Sequence, residues 1–372
     1  MTSSHRRGYV DWARGIAVLL MIEAHTVDAW TRLNVRHSIS FRDATVLGGF
    51  AAPLFLWLAG LAAVLAATRV VERGGSRGAA AELICRRGLE IFILGFLFRL
   101  QGFVITPGSH PVTLFRVDIL NIMGPAVAVA GIVWGGARSV TAKVIWYTAI
   151  ASALAMVTPI VRAAHAVDAL PIWLQWYVRP FGELTIFTLF PWAGFVFAGG
   201  AAGALLAAAR QPREERRLHA ILGAVGAALV IVGFYTAGRP SIYASSSFWT
   251  SSPTWFAIRL GILMMALTAI YATEAAWTAL KGGAAGQESG AGVDPLARLG
   301  RSSLFIYWIH VELVYGYASW LWRHRMPLWG TAIATVFFCI LMYRAIGWRD
   351  LALGRWRNRP RRTGHASQIA AA

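Results

Sequence analysis

The chain has 372 residues, of which 57% are hydrophobic and 14% charged, and it carries a formal net charge of +18. Apolar runs recur at lengths sufficient to cross a bilayer, which excludes an ordinary soluble enzyme and specifies an all-α polytopic membrane protein built as one helical bundle. The positive charge would point to nucleic acid in a soluble chain, but here it lies between the apolar runs and at the C-terminus. Topology accounts for it, and no nucleic-acid partner is expected.

The apolar windows predict about ten spans by the span-length rule, near 10–30, 46–69, 86–105, 117–135, 140–161, 185–208, 218–237, 254–279, 298–318 and 327–347. Connections rich in Arg and Lys alternate with poorer ones, so the positive-inside rule places both termini in the cytoplasm. Residues 1–348 are then one transmembrane domain and 349–372 a basic, disordered tail apt to lie against anionic headgroups. The two cysteines, Cys85 and Cys339, lie beside or within apolar runs of different spans, with neither disulfide nor metal spacing.

The first span follows a basic HRR segment but lacks a convincing cleavage site, so it is expected to be retained rather than removed as a signal peptide. It holds Arg14 and His25, eleven positions apart. On a helix they share one face, within about 20° and roughly 16 Å apart along the axis. Ionisable groups in hydrocarbon cost several kcal/mol unless they face a protein interior or aqueous cavity, which makes both candidates for function. Arg14, near the cytoplasmic end, suits phosphates, and His25, in the outer half, suits proton transfer near neutral pH. The bland alternatives are snorkelling by Arg14 and a helix-packing hydrogen bond by His25. Asp28, three residues on, is placed to orient the imidazole. His37, beside Arg36 in the first outer loop, is a rival base or a solvated loop residue.

Further along, Pro53 and Pro191 interrupt the second and sixth spans. Arg86 and Arg87 open the third at the cytoplasmic surface, either to bind phosphates or to satisfy the charge rule. Arg116 and Asp118 begin the fourth on the outer side, as an ion pair or part of an acceptor site. The outer loops after the fifth and seventh spans are rich in Trp, Tyr, Ser and Arg. Trp249 in the second of them is a candidate for stacking on a sugar, with an interfacial aromatic belt as the alternative.

The small-residue runs GGAAG and GAVG, starting at Gly199 and Gly223, read as close helix packing. The Gly/Ala-rich segment 282–292 reads as a flexible cytoplasmic loop. In the ninth span Ser303, Tyr307 and His310 follow i, i+4, i+7 spacing and form a polar stripe. With the helix running outward, His310 reaches a depth comparable with His25. No phosphate loop, dinucleotide fingerprint, zinc-protease motif or nucleophile elbow occurs. General acid/base chemistry and transport remain; broken helices favour a transporter or flippase for a lipid-linked or anionic solute, whereas no inverted repeat is visible to support it.

Segment 14–25 (RGIAVLLMIEAH) resembles the first-helix motif of the acyltransferase-3 family, and AAPLFLWLAG from Ala51, the Arg86–Arg87 pair and SLFIYWIH from Ser303 fit in order. DWARGIAVLLMI from Asp11, FTLFPWAGFVFAG from Phe187 and FWTSSPTWF from Phe248 are similar to the bacterial branch resembling heparan-α-glucosaminide N-acetyltransferase. The resemblance implies an enzyme of the bacterial cytoplasmic membrane that moves an acetyl or other short acyl group from cytoplasmic acyl-CoA to a hydroxyl or amine of a glycan or amino sugar outside. Acetyl-CoA is a co-substrate, and no permanent cofactor is implied. His25 is then the base, with His37, near the heparan-type position, as its rival or an acyl relay. Arg14, Arg86 and Arg87 hold the nucleotide phosphates, and Tyr307 or His310 faces the thioester oxyanion.

Overall fold

The computed structural model describes residues 7–105, 110–182, 185, 187–284 and 294–357. These form thirteen α-helices in chain order. They are α1 (Gly8–Trp30), α2 (Ile39–Gly48), α3 (Ala51–Glu72), α4 (Arg77–Ile105), α5 (Ile119–Gly136), α6 (Val140–Ala163), α7 (Ile172–Val178), α8 (Leu189–Ala208), α9 (Pro212–Ala237), α10 (Pro253–Ala284), α11 (Pro295–Arg301), α12 (Ser303–Tyr315) and α13 (Leu328–Arg357). Only isolated β-bridges occur among the described residues.

Eight helices are long and apolar enough to cross a membrane, with α2 and α3 counted together. Two of the ten expected spans differ in kind. The first, α1, reaches 23 residues but carries Asp11, Arg14, Glu23 and Asp28. The ninth is divided into α11 and the 13-residue α12. Large apolar side chains point outward on the clearer spans, including Ile231 at 69%, Ile132 at 67% and Phe337 at 68% exposure. Such a surface is stable in lipid and not in water.

Close backbone approach organises the centre. A Cβ on Gly60 of α3 would stand 1.9 Å from the Val196 carbonyl oxygen, and one on Gly199 of α8 would stand 1.8 Å from that of Trp57. Small residues thus let α3 and α8 pack backbone to backbone, as the GGAAG run predicts. Trp57, Trp134, Tyr147 and Phe195 are fully buried around this contact.

Three boundaries depart from expectation. α4 starts at Arg77, ahead of the apolar stretch, because the Ser76 hydroxyl accepts from Ala79 N and Arg77 donates to the Gly135, Ala137 and Arg138 carbonyls at the end of α5. The break expected at Pro53 falls earlier, between Gly48 and Ala51. Pro53 occupies the first turn of α3, where its missing N–H costs nothing. At the other end α13 continues to Arg357, so the first residues expected in a loose tail are helical; Arg298 bonds Asp350 at 3.0 Å and Arg349 bonds Ser302 at 3.2 Å. The rest of that tail, and residues 285–292 of the Gly/Ala-rich loop, lie outside the described residues.

Candidate active site

α1 packs chiefly against α11, and then against α3, α2, α12 and α13; Gly300 of α11 lies against Asp11, Arg14 and Gly15. The His25 end of α1 is fixed by polar stitches. Thr26 Oγ1 lies 2.6 Å from Thr335 Oγ1, Thr31 donates to Thr331 at 3.1 Å, and Met326 N donates to the Trp30 carbonyl at 3.0 Å. The imidazole of His25 is therefore presented from a helix with little freedom to turn.

That imidazole meets the polar stripe of α12. His25 Nδ1 lies 2.8 Å from His310 Nε2, with the ring planes 5° apart. His310 Nδ1 lies 2.8 Å from the carbonyl oxygen of Ile306, one turn back. A carbonyl only accepts, so His310 Nδ1 carries its proton and, in a neutral ring, Nε2 accepts from His25 Nδ1–H. The remaining lone pair of the dyad sits on His25 Nε2, which makes no hydrogen bond among the described residues. His310 is 0% exposed, whereas His25 is half-buried, so the ring with the free lone pair is the one a reactant reaches.

Carboxylates flank the dyad on both sides. Asp28 does not orient His25 by a direct bond: its Oδ2 accepts from Tyr315 at 2.9 Å and its Oδ1 from Arg36 at 3.3 Å. Tyr315 in turn sets its ring edge-on to His25, with centroids 5.6 Å apart. The orienting bond comes from His310 instead, because α12 brings an acceptor closer to Nδ1 than the same helix offers one turn on. On the opposite side Asp118 caps α5 through Ile119 N and forms a capping box with Asn121. Its Oδ2 accepts from Arg99 at 2.7 Å and Tyr307 at 3.0 Å.

These bonds alter two expected roles. Tyr307 or His310 is expected to face a thioester oxyanion, but the Tyr307 hydroxyl donates to Asp118 and His310 Nδ1–H to the Ile306 carbonyl. Neither has a spare donor as the bundle stands. Arg99, on α4, is the residue that sequence reasoning missed. It stands in the middle of an otherwise apolar run, and a cation there is itself a signal. Its Nε is buried without a hydrogen-bond partner.

The remaining candidates are dispersed. Arg14 is half-buried, with Nη1 3.8 Å from Asp11 Oδ1, and its Cβ would stand 3.0 Å from a Cβ on Gly300 of α11. Arg86 and Arg87 lie on α4 with side chains 77% and 55% exposed, both facing Glu90; α4 packs chiefly on α3 and α5. His37 is exposed on the turn before α2. Arg116 follows a 3-10 turn, Pro111–Phe115, and is half-buried. Trp249 is 52% exposed and packs edge-on against Trp255 at 4.9 Å. In the loop after α6, Arg179 donates to Asp168 and to the Ala164 carbonyl, and this hydrogen bonding holds the Asp168 carboxyl below the usual carboxylate range.

A hydrogen-bonded imidazole pair, one ring buried and the other half-buried with its Nε2 lone pair open, is suited to taking a proton from an incoming nucleophile. No curated protein matches the chain. A family model described as heparan-alpha-glucosaminide N-acetyltransferase, catalytic, matches residues 6–243, a stretch that includes α1 with His25 and His37 and stops before His310. The chain therefore belongs to the heparan-alpha-glucosaminide N-acetyltransferase catalytic-domain family.

Proposed function

We propose that the protein transfers an acetyl group from cytoplasmic acetyl-CoA to an amine or hydroxyl of an amino-sugar or glycan acceptor on the other side of the bacterial cytoplasmic membrane, with His25 as the base. One observation carries this reading: the 2.8 Å bond between His25 Nδ1 and His310 Nε2, which leaves His25 Nε2 as the open acceptor. As the acceptor attacks the thioester carbonyl, its N–H or O–H proton passes to Nε2. Collapse of the tetrahedral intermediate breaks the C–S bond, and the departing thiolate takes the proton back from the imidazolium. General base help of this kind is commonly worth roughly 10²–10⁴ in rate.

His310 holds the ring in the tautomer that keeps the lone pair outward, while its own Nδ1–H donates to the Ile306 carbonyl. Arg14, roughly 16 Å away along the α1 axis, suits the phosphates of a donor whose acyl arm runs along the helix. Arg86 and Arg87, exposed and facing Glu90, can add only attraction at the surface. The acyltransferase-3-like pattern of the first helix supports His25 over His37, as does the contrast between a hydrogen-bonded ring and one exposed on a turn.

Binding and slow hydrolysis of acetyl-CoA by the detergent-solubilised protein test the proposal. Saturable binding that weakens in Arg14→Ala, together with thioester cleavage that disappears in His25→Ala, supports it. A folded protein showing neither contradicts it and favours a carrier for an anionic solute.

A further inference from the structure

Away from the dyad, a narrow cleft opens between the start of α8, the loop before α10 and the first turns of α10. Pro191, Trp192, Trp249, Ser252, Trp255 and Arg259 line it. The Arg259 guanidinium stacks on two indoles, with its carbon 4.6 Å from the Trp255 ring centroid and 5.4 Å from that of Trp192. Among the described residues it forms no ion pair and no hydrogen bond, and its Nε is buried. Trp255 Nε1 is buried without a partner as well. Two enclosed N–H donors on one helix, four residues apart, are thus left without a hydrogen-bond partner among the described residues.

Two other arginines in the bundle, whose Nε atoms are likewise buried without a partner, are bonded through their remaining nitrogens. Arg99 has Asp118, and Arg162 donates to the Thr250 carbonyl at 3.0 Å and to Thr188 and the Phe190 carbonyl at 2.7 Å each. Those bonds also fix the two sides of the cleft relative to each other. An enclosed cation with no bonded counter-charge is costly, and a guanidinium held over indole rings keeps N–H donors for an oxyanion. The cleft encloses about 10 Å³, room for one water-sized group, so only the head of a ligand enters. The half-exposed ring of Trp249 stands at the mouth, suited to the apolar face of a sugar.

The cleft borders the elbow between α2 and α3. A Cβ on Gly49 would stand 3.8 Å from Arg259 Nη2, and one on the adjacent Gly48 would stand 2.7 Å from Ala24 Cβ, next to His25 on α1.

We propose that Arg259 and Trp255 bind an oxyanion, carboxylate or phosphate, carried by a sugar whose ring rests on Trp249. Calorimetric titration of the full chain in detergent, without acetyl-CoA, tests this with glucuronate, glucose 6-phosphate, glucose, inorganic phosphate and short-chain phosphatidylglycerol. The two acidic sugars should bind saturably, at least about tenfold tighter than glucose, a difference of about 1.4 kcal/mol. Arg259→Gln should weaken them by a similar factor without lowering the melting temperature. Arg259→Lys, which keeps the charge but not the fork, should fall between. Trp249→Ala, at an exposed position, should weaken the acidic sugars and leave inorganic phosphate unchanged; if Arg259→Gln fails to fold, this variant and Arg259→Lys decide. Equal affinity for glucose, binding indifferent to Arg259, or no anion binding overturns the proposal. Preference for inorganic phosphate or for the lipid overturns its sugar component. Because no donor is present, loss of acetyl transfer for any other reason leaves this result untouched.

Discussion

His25 and His219 are both imidazoles on long helices, both pressed against tyrosine rings, and they differ in what their nitrogens meet. His219, on α9, is 1% exposed, stacks on Tyr271 with centroids 4.0 Å apart and meets Tyr9 edge-on at 4.9 Å. Neither of its nitrogens has a hydrogen-bond partner, and the Tyr9 hydroxyl is turned away to Glu215 at 2.5 Å. His25 has one nitrogen bonded to His310 and the other open. Burial and aromatic neighbours are therefore common to a packing histidine and a working one. A proton relay with one unfilled end is what separates them.

The largest expected effect falls on His25. Replacement by Ala should lower acetyl transfer by at least about 10²-fold, toward background, while His219→Phe should keep turnover near wild type in the same assay; equal losses would erase the distinction. His310→Ala should cost about 10–100-fold, as when the outer partner that fixes an imidazole is removed. The circular-dichroism melt should be checked alongside, and the pH–rate profile should shift in this variant, which a purely structural loss would not produce.

Arg99→Ala sharpens the comparison from the stability side. Leaving Asp118 unpaired beside Tyr307 should destabilise the bundle by about 3–5 kcal/mol, read as a lowered melting temperature. Tyr315→Phe removes one hydrogen bond to Asp28 and should cost about 1 kcal/mol with only a several-fold change in rate.

The smallest effect is expected at Asp168. Its carboxyl is held below the ordinary range by Arg179 in the folded protein, so the clasp contributes above the unfolded carboxylate value, near about 3.9, and is lost only as pH falls through the lower folded value. Limited proteolysis of the loop after α6 should therefore be unchanged between pH 7 and about 5, and Arg179→Ala should raise cleavage across that range.

Much of the site was legible in the sequence because helical period is local. The eleven-residue spacing of Arg14 and His25 and the stripe through Tyr307 and His310 both follow from about 100° per residue. What the period cannot supply is which faces meet. The bond from His25 to His310 spans 285 positions, and it displaced Asp28, whose offset of three residues put a carboxylate on the same helix face but not the nearest acceptor. Arg99 was passed over because the run around it satisfied the length rule. The two helices least like ordinary spans, α1 and α12, are the two that carry the dyad. Polar groups needed for chemistry shorten or dilute the apolar signal that locates a span.

Ring-¹⁵N NMR of histidine-labelled protein in detergent, with His25→Ala and His310→Ala used for assignment, tests the central claim most directly. Neutral His25 should appear as the Nδ1–H tautomer with an unprotonated Nε2, and that preference should weaken when His310 is replaced. A His25 resonance showing Nε2 protonated, unaffected by His310, would mean that the open nitrogen is not a base and would move the search for the catalytic group to His37.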